Sequence, residues 1–259
     1  MKSLTRHASS CLLLLLVTVV VGCATPPAVP PLPLPQADGA LTIGDSLYRS
    51  PRNAERVRQA GLNYEGAAKR PDQAAEGYWK AARAYVWLVQ FASANRDQQE
   101  QDAARAIFLA GQAVDTAPTQ AEGHYYLASA LGLFSQLHSA MNKLPQMARE
   151  GERAAELDPK IDHAGPYRLL GSLYGFAPEP PISLGDQDKG LDYLRKAVAL
   201  APDDSENHFR LAELLAAMGQ KAEAKRQLEQ ALFLNQPDAD PTETMTWQLE
   251  AKRLWEKVK

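Results

Sequence analysis

Residues 164–202 read AGPYRLLGSLYGFAPEPPISLGDQDKGLDYLRKAVALAP, and this stretch decides the fold. Tyr167, Leu170, Gly171 and Tyr174 follow at spacings of three, one and three, so all of them fall on one face of a helix. Gly190, Leu194, Ala197 and Leu200 repeat at four, three and three, and form a second stripe. That stripe ends at Pro202, since proline cannot continue a helix. Gly171, flanked by aromatics, is small enough to let a neighbouring helix approach closely. The stretch is a pair of antiparallel helices.

The pair recurs along the chain. Downstream, His208, Leu211, Ala212 and Leu215 fill the first-helix slots, and Ala224, Leu228 and Ala231 fill the second, with Gly219 in the turn between. Upstream, His124, Leu127, Ala128 and Leu131 pair with Met147, Gly151, Ala154, Leu157 and Pro159. Before them, Tyr78, Ala81, Ala82 and Tyr85 pair with Ala106, Ala110, Ala113 and Pro118. The closing prolines recur at 41 and 43 residues, and the same slot returns 34 residues after Pro202, at Gln236. On these residues the chain resembles the tetratricopeptide repeat (TPR) family, whose usual period is 34 residues. The resemblance implies an all-α fold: a TPR-like superhelical solenoid of antiparallel helix pairs with a C-terminal capping helix. Repeats are expected over 75–118, 121–159, 164–202 and 205–236, with the cap over 240–259.

The first three repeats carry extra residues between their helices. Leu131 to Met147 and Tyr174 to Gly190 each span 16 residues, against 9 from Leu215 to Ala224. Gly132–Gln146 has helical texture and is expected to lengthen both of its helices by about one turn. GFAPEPPISLGD is expected to be a loop, with Asp186 capping the helix that follows. It is either a contact for a partner or a packing strap. Asn53–Arg70 reads as a helix with Ala60, Tyr64 and Ala67 inward, which makes Asp45–Arg70 a degenerate first repeat or an amino-terminal cap. The charge-rich run Asn95–Asp102 reads as a solvated turn. At the far end, Asp240, Pro241 and Glu243 start a helix whose stripe is Trp247, Ala251, Leu254 and Val258. A solenoid needs such a helix over its last open face.

The 259 residues, 45% hydrophobic and 23% charged, have the composition of a globular chain. A net charge of −3 argues against nucleic acid as a partner, since no basic excess exists to neutralise phosphates. Lys2 and Arg6 precede an apolar run, Cys11–Val21, broken by Thr18 alone. This pattern is a secretory signal peptide over residues 1–22. Val20-Val21-Gly22-Cys23 resembles a bacterial lipobox, which implies lipidation of Cys23; the alternatives are a plain cleaved signal or a short anchor helix. Ala24 after the cysteine suggests outer-membrane sorting, by analogy with enteric bacteria. With Cys11 removed and Cys23 acylated, no thiol remains for a disulfide or a metal. Residues 23–40 are the lipidated cysteine and a proline-rich spacer, which favours polyproline II and a semi-rigid tether. The expected location is the periplasmic side of a bacterial envelope, with the membrane reached through the N-terminal lipid.

No arrangement of residues supports a reaction. The chain has no Gly-rich loop leading into Lys-Ser/Thr, no His-Glu-x-x-His and no Gly-x-Ser-x-Gly. His124 and His208 occupy the bulky slot held elsewhere by Tyr78 and Tyr167, so they are packing residues by position. No catalytic residue, metal or cofactor is expected.

Recognition has better support. The residues just after the bulky slots are Trp79, Tyr125, Arg168 and Phe209, and one turn on come Arg83, Ser129, Ser172 and Glu213. In a solenoid they are expected to line the concave face, where aromatics and arginine suit a binding hot spot. The alternative is that some of them pack beneath an adjacent helix.

Glu76-Gly-Tyr-Trp-Lys-Ala-Ala-Arg83, Gly165-Pro-Tyr-Arg-Leu-Leu-Gly171, the lengthened helices after His124 and the PPISLGD segment carry a narrower likeness. Over most of residues 41–235 the chain resembles the T-component lipoproteins associated with tripartite ATP-independent periplasmic (TRAP) transporters. That resemblance implies a protein–protein interaction module whose partner is another envelope protein, a periplasmic solute-binding protein. The alternatives are a scaffold for pilus, secretion or outer-membrane assembly, and a carrier of a small apolar ligand in the solenoid lumen. Self-association stays open.

Overall fold

The computed structural model describes residues 39–234 and 239–258, which lie within the unit formed by residues 34–259. The signal peptide, Cys23 and nearly all of the tether lie outside the described residues, as does Gln236.

The described residues are all-α, with no strand. A leading pair, α1 (Ala40–Tyr48) and α2 (Ala54–Ala67), packs against α3 (Ala74–Phe91) and α4 (Arg96–Thr116). The remaining pairs are α5 (Ala121–His138) with α6 (Leu144–Leu157), α7 (Ile161–Phe176) with α8 (Gln187–Leu200), and α9 (Ser205–Ala217) with α10 (Lys221–Phe233). The last helix is α11 (Pro241–Val258). The result is a TPR-like solenoid of antiparallel pairs.

Side chains fix where several helices begin. Asn53, Asn95, Asp186 and Asp204 each accept a hydrogen bond from the backbone N–H three residues on. Such a cap contributes about 1 kcal/mol. Asn95 corrects the reading of its neighbourhood: the charged run is the first two turns of α4, not a solvated turn. Its last member, Asp102, is buried and accepts both terminal nitrogens of Arg58 on α2, at 2.9 and 2.8 Å.

Small residues set the spacing within pairs. A Cβ on Gly171 would lie 2.5 Å from Leu194 Cγ, and one on Gly190 would lie 2.5 Å from the backbone N of Gly175. Helices α7 and α8 therefore meet backbone to backbone. His124 and His208 are buried and do the same job in two repeats. In each, Nε2 meets the carbonyl of the preceding proline, Pro118 or Pro202, at 3.1 and 2.8 Å. Nδ1 meets a side chain of the paired helix, Glu150 or Gln227, at 2.6 Å in both.

The first insertion is helical, as its texture predicts: α5 runs on to His138, and a 3-10 turn over Met141–Lys143 leads into α6. The proline-rich insertion folds back on itself. Gly185 N–H donates to the Pro178 carbonyl at 2.9 Å, and Asp186 N–H donates to the Tyr174 carbonyl at 2.8 Å.

Helix α11 covers the last pair, burying Ala251 and Val258 against Phe209, Ala212, Leu228 and Ala231. It does more than cap. Its start returns to the beginning of the solenoid, where Asp240 Oδ2 accepts the backbone N–H of Arg52 at 2.8 Å. Glu243 pairs with the Arg52 guanidinium and accepts the Trp87 indole N–H at 2.7 Å. Trp247 packs edge-on against Phe91 of α3. The superhelix closes on itself.

A closed lumen as candidate functional site

Closure turns the concave face into a lumen of about 1130 Å³. Helices α3, α5, α6, α7, α9 and α11 all contribute to its wall, together with Tyr48 and Arg52 from the leading pair.

Among the residues expected on the concave face, Arg83, Tyr125, Ser129, Arg168, Ser172 and Glu213 line this lumen. Trp79 and Phe209 do not. Trp79 is half-buried and stacks on Tyr126 of α5, with centroids 6.0 Å apart and planes 3° apart. Phe209 is 2% exposed and stacks on Trp247, so the apolar face of α11 takes the position a partner was expected to take. Both depart from the groove assignment because a neighbouring helix already covers them.

Arg168 is the centre of the polar half. It is buried, and its Nη2 pairs with Asp162 at 2.8 Å while its Nη1 donates to Asn207 Oδ1 at 2.9 Å. Glu206 lies 3.2 Å from its Nε and Asp204 lies 3.7 Å from its Nη1. The guanidinium also reaches the carbonyls of Asp162 and His163, at 3.2 and 3.3 Å. Those carbonyls belong to an unusual turn: Asp162, His163 and Ala164 all have left-handed backbone angles, with φ of 50°, 54° and 67°. Non-glycine residues take this conformation at a cost, and hold it only where surrounding contacts over-determine it. Here Arg168 and Asn207 hold it, the latter donating to the His163 carbonyl at 2.8 Å. Gly165 follows because Tyr125 sits against it; a Cβ there would lie 2.5 Å from the tyrosine hydroxyl.

The electrostatics follow from this packing. Burial works to raise the Asp162 carboxyl, but Arg168 and the Tyr125 hydroxyl outweigh it and hold the group below the usual carboxylate range. For Glu206, burial wins over Arg168 and Arg210, and its carboxyl lies above the ordinary value. Burial also pushes Glu243 up to about 7, against the pull of Arg52. Among the described residues no group of three or more His, Cys, Asp or Glu side chains is placed to hold a metal ion.

Asp162, Glu206, Arg52, Trp87 and Glu243 line the lumen, Asn207 supports Arg168 from within the packing, and none of them had a signal in the helical periodicity. Asp162 precedes the Gly-Pro pair at a helix start, and Arg52 and Glu243 meet only through closure.

Residues 182–242 match the tetratricopeptide repeat family. Among solved structures the chain is similar to TTC0263, a thermophilic TPR protein of Thermus thermophilus. The identity is 22%, the TM-score 0.60, and the match covers 86% of this chain and 98% of that one. The fold is a TPR solenoid. Weaker likenesses are to the MamA protein, at 19% identity and TM-score 0.48 over 76% of this chain and 90% of that one. YrrB, a TPR protein with an unusual peptide-binding site, matches at 16% and 0.46 over 84% and 92%. No curated protein matches the sequence. The family that does match is a repeat family and not a catalytic one.

Proposed function

We propose that this protein is a lipid-anchored TPR module of the bacterial periplasm that engages another envelope protein, a solute-binding protein of a TRAP-type transporter. The observation that carries the reading is convergence. Side chains from the first helix of each pair, Arg83, Tyr125, Ser129, Arg168, Ser172 and Glu213, meet in one lumen instead of lying along separate surfaces. TPR solenoids present concave surfaces of this kind for binding, and arginine and tyrosine are among the residues that dominate hot spots. The signal-peptide pattern, the Gly22-Cys23 junction and the proline-rich spacer support anchoring and a tether.

The test uses the full-length protein as bait in periplasmic extract, with Ser172→Trp as the control bait. Ser172 lines the lumen from α7 and stands outside the Arg168 network, so an indole there fills space without cutting those ion pairs. Capture of one solute-binding protein, lost with the control, is the expected result. Capture of pilus, secretion or outer-membrane assembly components would replace this reading with the scaffold. Equal capture by both baits would remove the lumen from it.

A further inference from the structure

We propose that the solenoid opens at the seam between α3 and α11, with Glu243 as a latch that is closed by its proton and released by its ionisation. Opening there makes the lumen reachable from the side. This goes beyond the partner reading and does not depend on which protein the chain engages.

The argument begins with what holds the two sides together. Neighbouring helices along the arc share apolar clusters, but among the described residues no cluster crosses the seam. Trp87 and Phe91 belong to the cluster built mainly on α1–α7, and Trp247 belongs to that of α9–α11. The joint itself is mostly polar. Asp240 accepts the Arg52 backbone N–H, Glu243 takes the Arg52 guanidinium and the Trp87 indole N–H, and the edge contact of Trp247 with Phe91 is the apolar part. Arg52 and Glu243 are both partly exposed, and ion pairs within reach of water contribute little. On the other side, Leu254 and Trp255 pack beside buried Ala251 and Val258 against α9 and α10. Helix α11 therefore stays with its own pair when the seam parts. Arg52, Trp87, Phe91, Asp240, Glu243 and Trp247 all line the lumen, so parting the seam divides the lumen wall.

Charge fixes the direction. Arg52 is one cation facing two carboxylates, Asp240 and Glu243, and Asp162 of α7 acts on the latch as a further negative charge. Trp87 of α3 donates to the latch, and the Tyr48 phenol of α1, kept protonated by burial, faces it without charge. A proton on Glu243 leaves one cation against one anion at the joint. Its loss leaves excess negative charge in a poorly hydrated place. Burial raises this carboxyl from 4.5 to about 7 in the closed solenoid, against the pull of Arg52, and water in an open seam would return it toward 4.5. The closed form binds the proton more tightly, so acidity closes the seam.

The experiment is fluorine NMR of the full-length protein with 5-fluorotryptophan at its four tryptophans. Solvent-isotope shifts between H2O and D2O report the exposure of each indole, and Trp87→Phe and Trp247→Phe assign the two at the seam. From about pH 5 to about pH 8 the ratio of open to closed form should rise on the order of 50-fold. Trp87 and Trp247 should gain exposure together, while Trp79 on Tyr126 and Trp255 on the α9–α10 face stay unchanged. In Glu243→Gln, which keeps an acceptor for Trp87 without a charge, both seam indoles should stay shielded throughout. Asp240→Asn keeps an acceptor for the Arg52 N–H and removes the excess charge, so its pH response should be smaller. Four results would overturn the proposal: equal shielding of Trp87 at both ends of the range in the wild type, a pH response that survives in Glu243→Gln, an undiminished response in Asp240→Asn, or exposure of Trp255 together with Trp87.

Discussion

Trp87 of α3 donates its indole N–H to the carboxylate of Glu243 on α11, 2.7 Å away and 156 positions further along the chain. Arg52 meets the same carboxylate from the turn between α1 and α2. Together they form the seam at which the solenoid closes.

The seam carries a pH dependence whose sign is fixed. Burial raises the Glu243 carboxyl from 4.5 to about 7, with Arg52 opposing. A carboxyl raised in the folded state binds its proton better there than in the unfolded chain. Stability from this group is therefore full below about 4.5, falls as pH rises from about 4.5 to 7, and is level above. Urea unfolding of the wild type and Glu243→Gln across this range should show the wild type losing on the order of 2–3 kcal/mol relative to the variant. A difference that stays constant with pH would mean that the carboxylate is not held in a closed seam.

Arg168 is buried and pairs with Asp162, Asp204 and Glu206, and removing it leaves those acids without their cation. Arg168→Ala should cost about 3–5 kcal/mol in equilibrium unfolding. It should also release the left-handed turn at Asp162–Ala164, which hydrogen exchange at those amides would report. A cost below about 1 kcal/mol would mark Arg168 as a surface residue.

Phe209 separates packing from recognition. At 2% exposure beneath α11, its replacement by alanine should cost about 3–5 kcal/mol. A variant of unchanged thermal midpoint would return Phe209 to the binding face.

Two glycines give opposite expectations for the same substitution. Gly190→Ala puts a methyl group 2.5 Å from the Gly175 backbone nitrogen and should destabilise by about 1–3 kcal/mol or more. Gly111, within α4, has nothing within 4 Å of its Cβ position. Gly111→Ala should stabilise by about 0.5–1 kcal/mol, since alanine is the better helix former. Thermal melts of the two variants moving in the same direction would contradict the packing described.

The paired helices were legible in the sequence because each repeats its apolar face at helical spacing. Tyr167, Leu170, Gly171 and Tyr174 mark α7, and Gly190, Leu194 and Ala197 mark α8. The slot rule also found Arg83, Tyr125 and Arg168 on the inner wall, since their direction follows from helix geometry alone. It placed Phe209 and Trp79 less well. Whether such a side chain meets space or a neighbour depends on where α11 and α5 come to lie, which local periodicity does not encode. The same limit hid Asp102, whose charge suggested solvent while Arg58 supplies its partner 44 positions away. Closure was the least legible feature, because Arg52 and Glu243 have no spacing relation until the whole superhelix is built.

An open solenoid can gain or lose a unit and remain sound, since each unit touches only its neighbours. Here the beginning and the end of the arc are joined through Arg52, Trp87, Asp240 and Glu243. One more helix pair would carry α11 past its contacts, and one fewer would leave it short. Duplication of a unit, the ordinary way such chains lengthen over evolution, is closed to this one; its size is a geometric constant, and change must come through side chains.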